Sequence, residues 1–467
     1  MTDDRISKLV QEAKTLRYSR RGITKRAAAL GLGAPAIAAA LTATGRAAAA
    51  PNRAPAFLQE RSMTFLGSTY FVPAGEEVFR AQVAEWGEQA GVNVTVDLVN
   101  WPDLQPRIAA GVEGGSGADI IEMWDTWPYL YREQMVPAGE LAAAVEERYG
   151  GYYDWVVNTA SVDGEWFSVP LGTSSTAVAF RISYLEEAGL EDPQNNFPAT
   201  WEEFFAIGKT LKEMGKPLGQ ALGHSTGDPP SFAYPYMWSY GAMEVAEDGT
   251  TVMFNQPEFV EGMRLFMQAW TDAYDEAGLS WDDATNNRAF LSDQLSATFN
   301  GSSVYLAAVA AAEGAPAGDY EIIVPPDDIW HASIPGGPAG QFNMVGSRSY
   351  AAMNYSENQE AAMEFLDWWF QEDQFIAWIE ANGGYFIPMA PGYADLGVYV
   401  DNPSLEPYPR VAEVGRHKGF SGPSNQNAAE AFARYTVIDA YAQAIQSGDA
   451  ETAIQNAAEV LTRVYGG

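Results

Sequence analysis

Between residues 63 and 123 the spacing of hydrophobic residues changes repeatedly between that of strands and that of helices, and this alternation constrains the fold more than any other feature. Residues 63–67, 94–98 and 119–123 read as short strands, because they are apolar runs or alternate apolar with polar positions. Residues 76–90 and 103–112 lie between them and carry apolar side chains at helical spacing. Strands separated by helices favour parallel pairing through crossover connections. We therefore predict an α/β fold, and 467 residues are enough for more than one domain.

Residues 1–49 have the order of an export signal. A basic stretch containing Arg20 and Arg21 precedes an uncharged, Ala-rich run over 27–41, and residues 47–49 provide a small-residue cleavage site. The arginine pair resembles that of the twin-arginine signal. The apolar run is shorter than the roughly 20 residues that span a bilayer. We predict a cleaved twin-arginine signal peptide and an exported protein, located in the periplasm or at the cell surface.

Charge excludes several classes of partner. The net charge is −34, and because residues 1–50 carry nine of the 27 Lys and Arg, the remainder is more acidic still. Such a surface repels nucleic acid and anionic lipid. The chain has no cysteine, which excludes disulfides and thiolate chemistry, and its histidines at 224, 331 and 417 have no metal-binding spacing. We predict no catalytic residues, no cofactor and no metal.

Helix-starting residues mark several longer helices farther along the chain. Thr200 and Glu203 form a capping box, in which each side chain satisfies a free backbone donor. Further helices are predicted to begin at Pro257, near Ser356 and at Asp449. Their aromatic, Met and Leu residues recur on one face, so we predict that these stripes are core and do not bind ligand.

An ordered set of short motifs resembles the extracellular solute-binding proteins of family 1, the maltose-binding-like group. The motifs are Gly164 to Pro170 (Gly-Glu-Trp-Phe-Ser-Val-Pro), Leu185 to Leu190 (Leu-Glu-Glu-Ala-Gly-Leu), Pro198 to Phe204 (Pro-Ala-Thr-Trp-Glu-Glu-Phe), Ala297 to Gly301 and residues 356–388. The resemblance covers about 63–465. It implies a two-lobe periplasmic-binding-protein type II fold with hinge-linked lobes. It also implies an ABC importer, whose membrane permease and cytoplasmic ATPases receive the solute, and we expect a monomer.

The resemblance implies the following domain boundaries. The signal is followed by a linker over 50–62. Lobe one holds 63–171 plus 297–344, and lobe two holds 172–296 plus 345–420. The C-terminal helices, over 421–467, pack across the hinge.

The ligand implied by this family is a carbohydrate, mono- or oligosaccharide. A site for sugars combines aromatic faces, which bury C–H surface, with amides, carboxylates and backbone groups that pair with hydroxyls. In open α/β sheets such groups lie at the carboxyl ends of strands. The candidate ligand-binding residues are Tyr70, Trp101, Trp124, Asp125, Thr173, Tyr236, Trp238, Asn300, Gly337, Gln341, Asn343 and Tyr385. Trp124 is predicted to stack on the sugar, and Asp125 to accept its hydroxyls.

Two alternatives stay open at this point. A binding protein for a polyamine or another small solute would use converging carboxylates with aromatics, which the acidic composition permits. An exported glycoside hydrolase would need two carboxylates about 5 Å or about 6.5–9.5 Å apart. Asp125 with Glu122, or Asp282 with Asp283, is the candidate pair for that chemistry.

Overall fold

The computed structural model describes residues 61–174, 176–315, 321–393 and 396–466, without the side chains of 412–414. The predicted signal peptide over 1–49 and the linker as far as residue 60 lie outside the described residues. Residues 61 and 62, predicted as linker, begin the first strand instead.

Strands and helices alternate in the first third of the chain, as the sequence predicted. In chain order these elements are β1 (Arg61–Ser68), α1 (Pro73–Ala90), β2 (Val92–Val99), α2 (Trp101–Gly114), β3 (Ile120–Trp124), α3 (Trp127–Tyr131), α4 (Gly139–Tyr149), α5 (Asp154–Ala160), β4 (Ser161–Val162), β5 (Glu165–Trp166) and β6 (Val169–Ser174).

The middle of the chain contains β7 (Ala177–Arg181), α6 (Ile182–Glu187), α7 (Trp201–Glu213), β8 (Leu218–Gly219), α8 (Asp228–Ser239), β9 (Met243–Val245), β10 (Val252–Met253), α9 (Pro257–Asp272), α10 (Thr285–Leu291), β11 (Ala297–Asn300), α11 (Ser303–Ala312) and β12 (Ile329–Ala332). The predicted capping box is confirmed at the start of α7. The Thr200 side chain accepts a hydrogen bond from the Glu203 amide, and the Glu203 carboxylate accepts one from the Thr200 amide.

The last part of the chain contains β13 (Asn343–Met344), β14 (Arg348–Ala352), α12 (Gln359–Trp369), α13 (Glu372–Ala381), β15 (Phe386–Pro388), α14 (Gly397–Val400), α15 (Pro407–Val414), β16 (Gly415–Arg416), α16 (Gln426–Ala433), α17 (Thr436–Ser447) and α18 (Ala450–Tyr465). Asp449 caps α18, as predicted, by accepting from the Thr452 amide. None of the described helices combines the length and hydrophobicity needed to cross a bilayer.

Two mixed sheets organise these elements, and we call each sheet with its packed helices a lobe. Lobe one holds a six-stranded sheet in the order β15-β6-β14-β3-β1-β2, in which β1 runs parallel to β2 and β3 while β14 is antiparallel to its neighbours. Lobe two holds a four-stranded sheet in the order β12-β7-β11-β8. Each sheet has an apolar core of its own.

The strand pairing differs from the expected ranges at four strands. Residues 297–300 and 329–332 were expected in lobe one, but β11 pairs with β7 and β8, and β12 pairs with β7, so both strands belong to lobe two. Residues 348–352 and 386–388 were expected in lobe two, but β14 pairs with β3 and β6 of lobe one, and β15 pairs with β6. All four strands are short, and β11, β14 and β15 are buried on both faces, so their own patterns carry no information about which sheet they join.

Within the described residues, the chain passes between the lobes three times. The first passage connects β6 to β7, and the second runs from β12 through β13 to β14. The third runs from β15 through α15 to β16. Strands β13 and β16 pair in parallel with each other. Residues of the C-terminal helices are buried mainly in the lobe-two core, while α16 also packs against α3 of lobe one.

Candidate functional site

A narrow cavity lies between the two lobes and is lined by residues from both. Phe71, Trp101 and Tyr385 face it from lobe one, and Ser174 and Thr176 face it from the first passage between the lobes. The lobe-two lining consists of Gly227, Asp228, Ser231, Asp283, Asn287, Asn300, Gly301 and Ser303. The cavity volume is about 20 Å³. A small organic solute therefore requires the lobes to separate before it can enter.

A second cavity, of about 30 Å³, continues the cleft and shares Ser174, Gly227 and Ser231 with the first. Its lobe-one side is formed by Trp124, Asp125 and Thr173. Its remaining wall comes from Thr226 of lobe two and from the chain around β13, the start of β14 and β16, namely Met344, Gly346, Ser347, Arg348 and Lys418. The cleft thus runs across the segments that connect the lobes.

Glu122 and Arg348 form a buried ion pair beneath the lobe-one wall. The Arg348 Nε donates to Glu122 Oε1 at 2.6 Å, and its Nη2 donates to the Ser68 hydroxyl at 3.0 Å. The indole N–H of Trp124 donates to the same carboxylate oxygen at 2.9 Å. The guanidinium also lies over the Trp124 ring, 4.6 Å from its centre. This network fixes the orientation of Trp124, whose ring meets Trp101 edge to face at 4.1 Å.

Asp125 forms a second buried ion pair, with Lys418. Asp125 adopts a positive φ of 52°, a conformation that Asp and Asn tolerate better than other side chains. This turn directs its backbone N–H to the Ser347 carbonyl at 2.6 Å. The Lys418 ammonium also lies 4.3 Å from the centre of the Phe432 ring of α16. Burial lowers the pKa of Lys418 to about 7, while the adjacent carboxylate favours the charged ammonium.

The lobe-two wall carries two buried carboxylates, Asp228 and Asp283. Asp283 accepts from the Asp228 amide at 2.7 Å, from the Gly227 amide at 3.2 Å and from the Ser225 hydroxyl. It therefore sits at the N-terminus of α8, where free backbone N–H groups and the helix dipole favour an anion. Burial nevertheless raises the pKa of Asp283 to about 6.

Asp228 is the first residue of α8 and is 8% exposed. Its Oδ2 accepts from the side-chain amide of Asn286 at 2.7 Å and from that of Asn300 at 3.4 Å. Burial, and then the neighbouring charge of Asp283, raise the pKa of Asp228 well above its usual value.

Six of the twelve predicted site residues line this cleft. Trp101, Asn300 and Tyr385 face the first cavity. Trp124, Asp125 and Thr173 face the second cavity. They come from five separate segments of the chain, which the folding of both lobes brings together.

Tyr236 and Trp238 do not reach the cleft, and this part of the prediction is wrong for the described conformation. Both lie in α8, every residue of which is buried, and both side chains are 0% exposed. The Tyr236 hydroxyl donates to the Gly262 carbonyl at 2.7 Å, and the ring packs among Trp201, Phe205 and Phe266. The aromatic density of this segment therefore serves the lobe-two core.

The other four predicted residues also lie outside the two cavities. Tyr70 packs against Phe79 and Trp378, and its hydroxyl accepts from the Trp378 indole at 3.2 Å. Gly337 lies against the Ser239 carbonyl, which a β-carbon at that position would approach to 2.6 Å. Gln341 and Asn343 line a different groove near the second passage, where Asn343 donates to the Thr176 carbonyl at 2.8 Å.

The sequence prediction missed Asp228, Ser231, Asn287 and Lys418. A usable signal existed for two of these, since Asp228 precedes a Pro pair that starts a helix, and Asn287 lies in a polar run after Trp281. Carboxylates of the candidate hydrolase pairs are held by other contacts. Glu122 and Asp125 are each neutralised by a cation, and Asp282 accepts from the amides of Ala284 and Thr285 in the turn that precedes α10.

Within the described ranges, no group of three or more His, Asp or Glu side chains has the arrangement of a metal site. The cleft instead combines aromatic faces, side-chain amides, hydroxyls and carboxylates. Such a lining is suited to holding a small polar solute by stacking and hydrogen bonding.

Comparison with solved structures identifies the fold. A solute-binding protein of an ABC transporter from Thermotoga lettingae TMO, bound with alpha-D-tagatose, matches with a TM-score of 0.74 at 15% identity, over 87% of this chain and 100% of that one. A maltose-bound protein of T. maritima matches with a TM-score of 0.70 at 18% identity, over 86% of this chain and 99% of that one. The predicted two-lobe α/β class is thereby confirmed.

Comparison of sequences identifies the family. A protein of Brucella abortus (strain 2308), provisionally named a binding protein, is 24% identical over 340 residues, which are 71% of this chain and 76% of that protein. The family model described as "Bacterial extracellular solute-binding protein" matches residues 81–407, more than half of the chain. Members of this family are transport receptors and not enzymes. The chain belongs to the bacterial extracellular solute-binding proteins.

Proposed function

We propose that this protein captures a saccharide between its two lobes and delivers it to the membrane permease of an ABC importer. The observation that carries the proposal is the composition of the cleft. Three aromatic residues of lobe one (Phe71, Trp101 and Tyr385) oppose amides and hydroxyls of lobe two across one cavity. Aromatic rings bury the C–H face of a sugar, and amides and hydroxyls pair with its ring hydroxyls.

The ligands of structurally similar proteins agree with this class of solute. The T. lettingae protein holds alpha-D-tagatose and the T. maritima protein holds maltose. Both sequences are distant from this chain, so they support a carbohydrate without selecting one.

The proposed cycle follows from the connections between the lobes. Three passages of chain form the hinge, and solute enters when the lobes separate about it. Contacts to both walls then favour the closed form, because a ligand shifts a conformational equilibrium toward the state that it binds better. The permease would receive the closed, loaded form.

We further propose that the chain is exported through the twin-arginine route. The support is the order of Arg20, Arg21, the Ala-rich run and the small-residue site in the sequence. Replacing both arginines by lysine should stop export of the full chain, as measured by its distribution between cell and exported fractions. Unchanged export of the double variant would refute this route.

A thermal-shift and calorimetric screen against neutral saccharides, amino sugars, polyols and polyamines tests the main proposal. At a concentration of about 100 times Kd, a ligand of the folded state adds about 2.7 kcal/mol, which raises Tm by a few degrees. A saccharide that raises Tm and is recovered intact by chromatography would support capture. Stabilisation by polyamines alone would overturn the saccharide proposal.

A further inference from the structure

We infer that the saccharide bound by this cleft carries a protonated amine, and that Asp228 and Asp283 receive it. This inference rests on the proposed function and narrows its substrate class to an amino sugar. The observation that supports it is a difference in charge pairing between the carboxylates of the two walls of the cleft.

The charges of the lobe-one side are balanced within the protein. Glu122 pairs with Arg348, and Asp125 pairs with Lys418. All four side chains are nearly fully buried. Each carboxylate is therefore paired with a cation in a region from which water is largely excluded. A buried charge is retained at acceptable cost when it is paired and hydrogen-bonded.

The carboxylates of the lobe-two side receive only neutral donors. Among the residues that the structure describes, no Lys, Arg or His forms an ion pair with Asp228 or Asp283. Asp283 is 5% exposed and accepts from two backbone amides and one hydroxyl. These donors orient the carboxylates but bring no formal positive charge.

Asp228 has an oxygen left for a ligand. Its Oδ2 is used by Asn286 and Asn300, whereas no donor of the described residues reaches its Oδ1. The side chain is more than nine-tenths buried and lines the cavity, so this carboxylate is placed to receive a ligand. An ammonium group offers three donors together with the missing charge.

The rest of the lining selects a sugar amine over a linear polyamine. Phe71, Trp101 and Tyr385 offer ring faces, which attract cations as well as C–H surface. The lining also contains Ser174, Thr176, Ser231, Asn287 and Ser303. A polyamine has no hydroxyls for these hydroxyl and amide groups, whereas an amino sugar has several.

The protonation behaviour of the pair agrees with a cationic ligand. Burial raises the pKa of Asp283 to about 6 and that of Asp228 well above its usual value, which reflects the cost of holding two adjacent anions without a cation. An ammonium between them would remove that cost.

Matched ligand pairs test the inference by isothermal titration calorimetry on the purified protein at pH 7.5. The probes are glucosamine with glucose, galactosamine with galactose, and the β-1,4-linked disaccharide of glucosamine with cellobiose. The N-acetylated form of each amino sugar serves as a neutral control of similar shape. We expect at least one amine to bind about tenfold or more tighter than both its parent and its N-acetyl form, because the buried carboxylates are left without a cation by the neutral ligands.

Two variants locate the effect. Asp228→Asn should reduce the preference for the amine over its neutral parent to about twofold or less. Asp282→Asn removes the carboxylate next to Asp283, which accepts from the Ala284 and Thr285 amides and does not line the cavity, so it should leave the preference intact. Circular dichroism melting of both variants verifies that they are folded.

The outcomes separate this inference from the proposed function. Equal or tighter binding of the neutral sugars would overturn the inference and leave saccharide capture standing. An amine preference that survives in Asp228→Asn would also overturn the assignment of these residues. Binding of spermidine alone, or of no carbohydrate in the wider screen, would overturn both proposals.

Discussion

The Lys418 ammonium contacts the Asp125 carboxylate at the cleft, with both side chains at most 5% exposed. Asp125 follows the last residue of β3 in lobe one, and Lys418 follows β16 in the third passage between the lobes. The residue after Lys418 is bound to lobe two, because the Gly419 amide donates to the Glu244 carboxylate at 2.6 Å. The ion pair therefore connects lobe one to a segment that is anchored on lobe two.

Lys418→Met should destabilise the protein by about 3–5 kcal/mol, because it leaves the buried Asp125 carboxylate without its cation. The Asp125 Oδ1 has no hydrogen-bond partner among the residues that the structure describes, so none of these donors compensates. Urea unfolding at pH 7 measures the change. The double variant Lys418→Met with Asp125→Asn should recover most of the loss, since Asn tolerates the positive φ. A loss below about 1 kcal/mol in the single variant would contradict the stabilising role of the pair.

Trp101→Ala should weaken binding of the captured saccharide by about 2 kcal/mol, or roughly thirtyfold in Kd, because Trp101 supplies an aromatic face of the cavity. Tyr236→Phe should leave Kd unchanged and lower the free energy of unfolding by about 1 kcal/mol, since it removes only the hydrogen bond to Gly262. Calorimetry gives Kd, and urea unfolding gives stability. If the Tyr236 variant lost affinity without losing stability, the placement of this residue in the core would be refuted.

Gly172→Ala should be more destabilising than Gly189→Ala, although both glycines have positive φ. At Gly172 a β-carbon would lie 2.3 Å from the Ile387 carbonyl oxygen, in the pairing of β6 with β15. A β-carbon at Gly189 would have no described atom within 4 Å apart from those of its chain neighbours. Ala there would therefore cost only the backbone strain of about 1–2 kcal/mol. Unfolding measurements on both variants check the order. Equal losses would indicate that the backbone contact at Gly172 is readily relieved.

Glu244→Gln should change how stability depends on pH. Burial raises the pKa of Glu244 to about 7, so between its ordinary value of 4.5 and about 7 the folded protein holds a proton that the unfolded chain has released. The contribution of this group is therefore present at low pH and lost as pH rises through about 7. At about 1.4 kcal/mol per pKa unit, the loss is roughly 3 kcal/mol.

Gln does not titrate, so the free energy of unfolding of the variant, relative to the natural protein, should rise between pH 5 and pH 8. Urea unfolding at four pH values across this range measures the difference. Glu247→Gln is the matched control, because Glu247 is exposed in the same stretch of chain. A difference between Glu244→Gln and the natural protein that stays constant with pH would contradict the prediction.

Several parts of the cleft could be predicted from sequence because they depend on local rules. Trp101, Trp124 and Asp125 follow strands whose apolar patterns are readable, and ligands in α/β sheets lie where strands end. Tyr236 and Trp238 were misplaced because aromatic residues are equally suited to a cleft and to a core, and only the burial of all faces of α8 decides between the two. Asp228 and Asp283 are 55 positions apart, and nothing in either neighbourhood indicates that one carboxylate accepts from the amide of the other.

The sequence by itself determined the α/β class, the order of strands and helices at the start of the chain, and the caps at Thr200 and Asp449, because periodicity and capping act over a few residues. The tertiary structure decided that β11 joins lobe two and β14 joins lobe one. It also decided that Lys418 contacts Asp125 and that no cation of the described residues pairs with Asp228. The physical reason is that sheet membership and the pairing of buried charges depend on packing between residues tens to hundreds of positions apart, which no local pattern encodes.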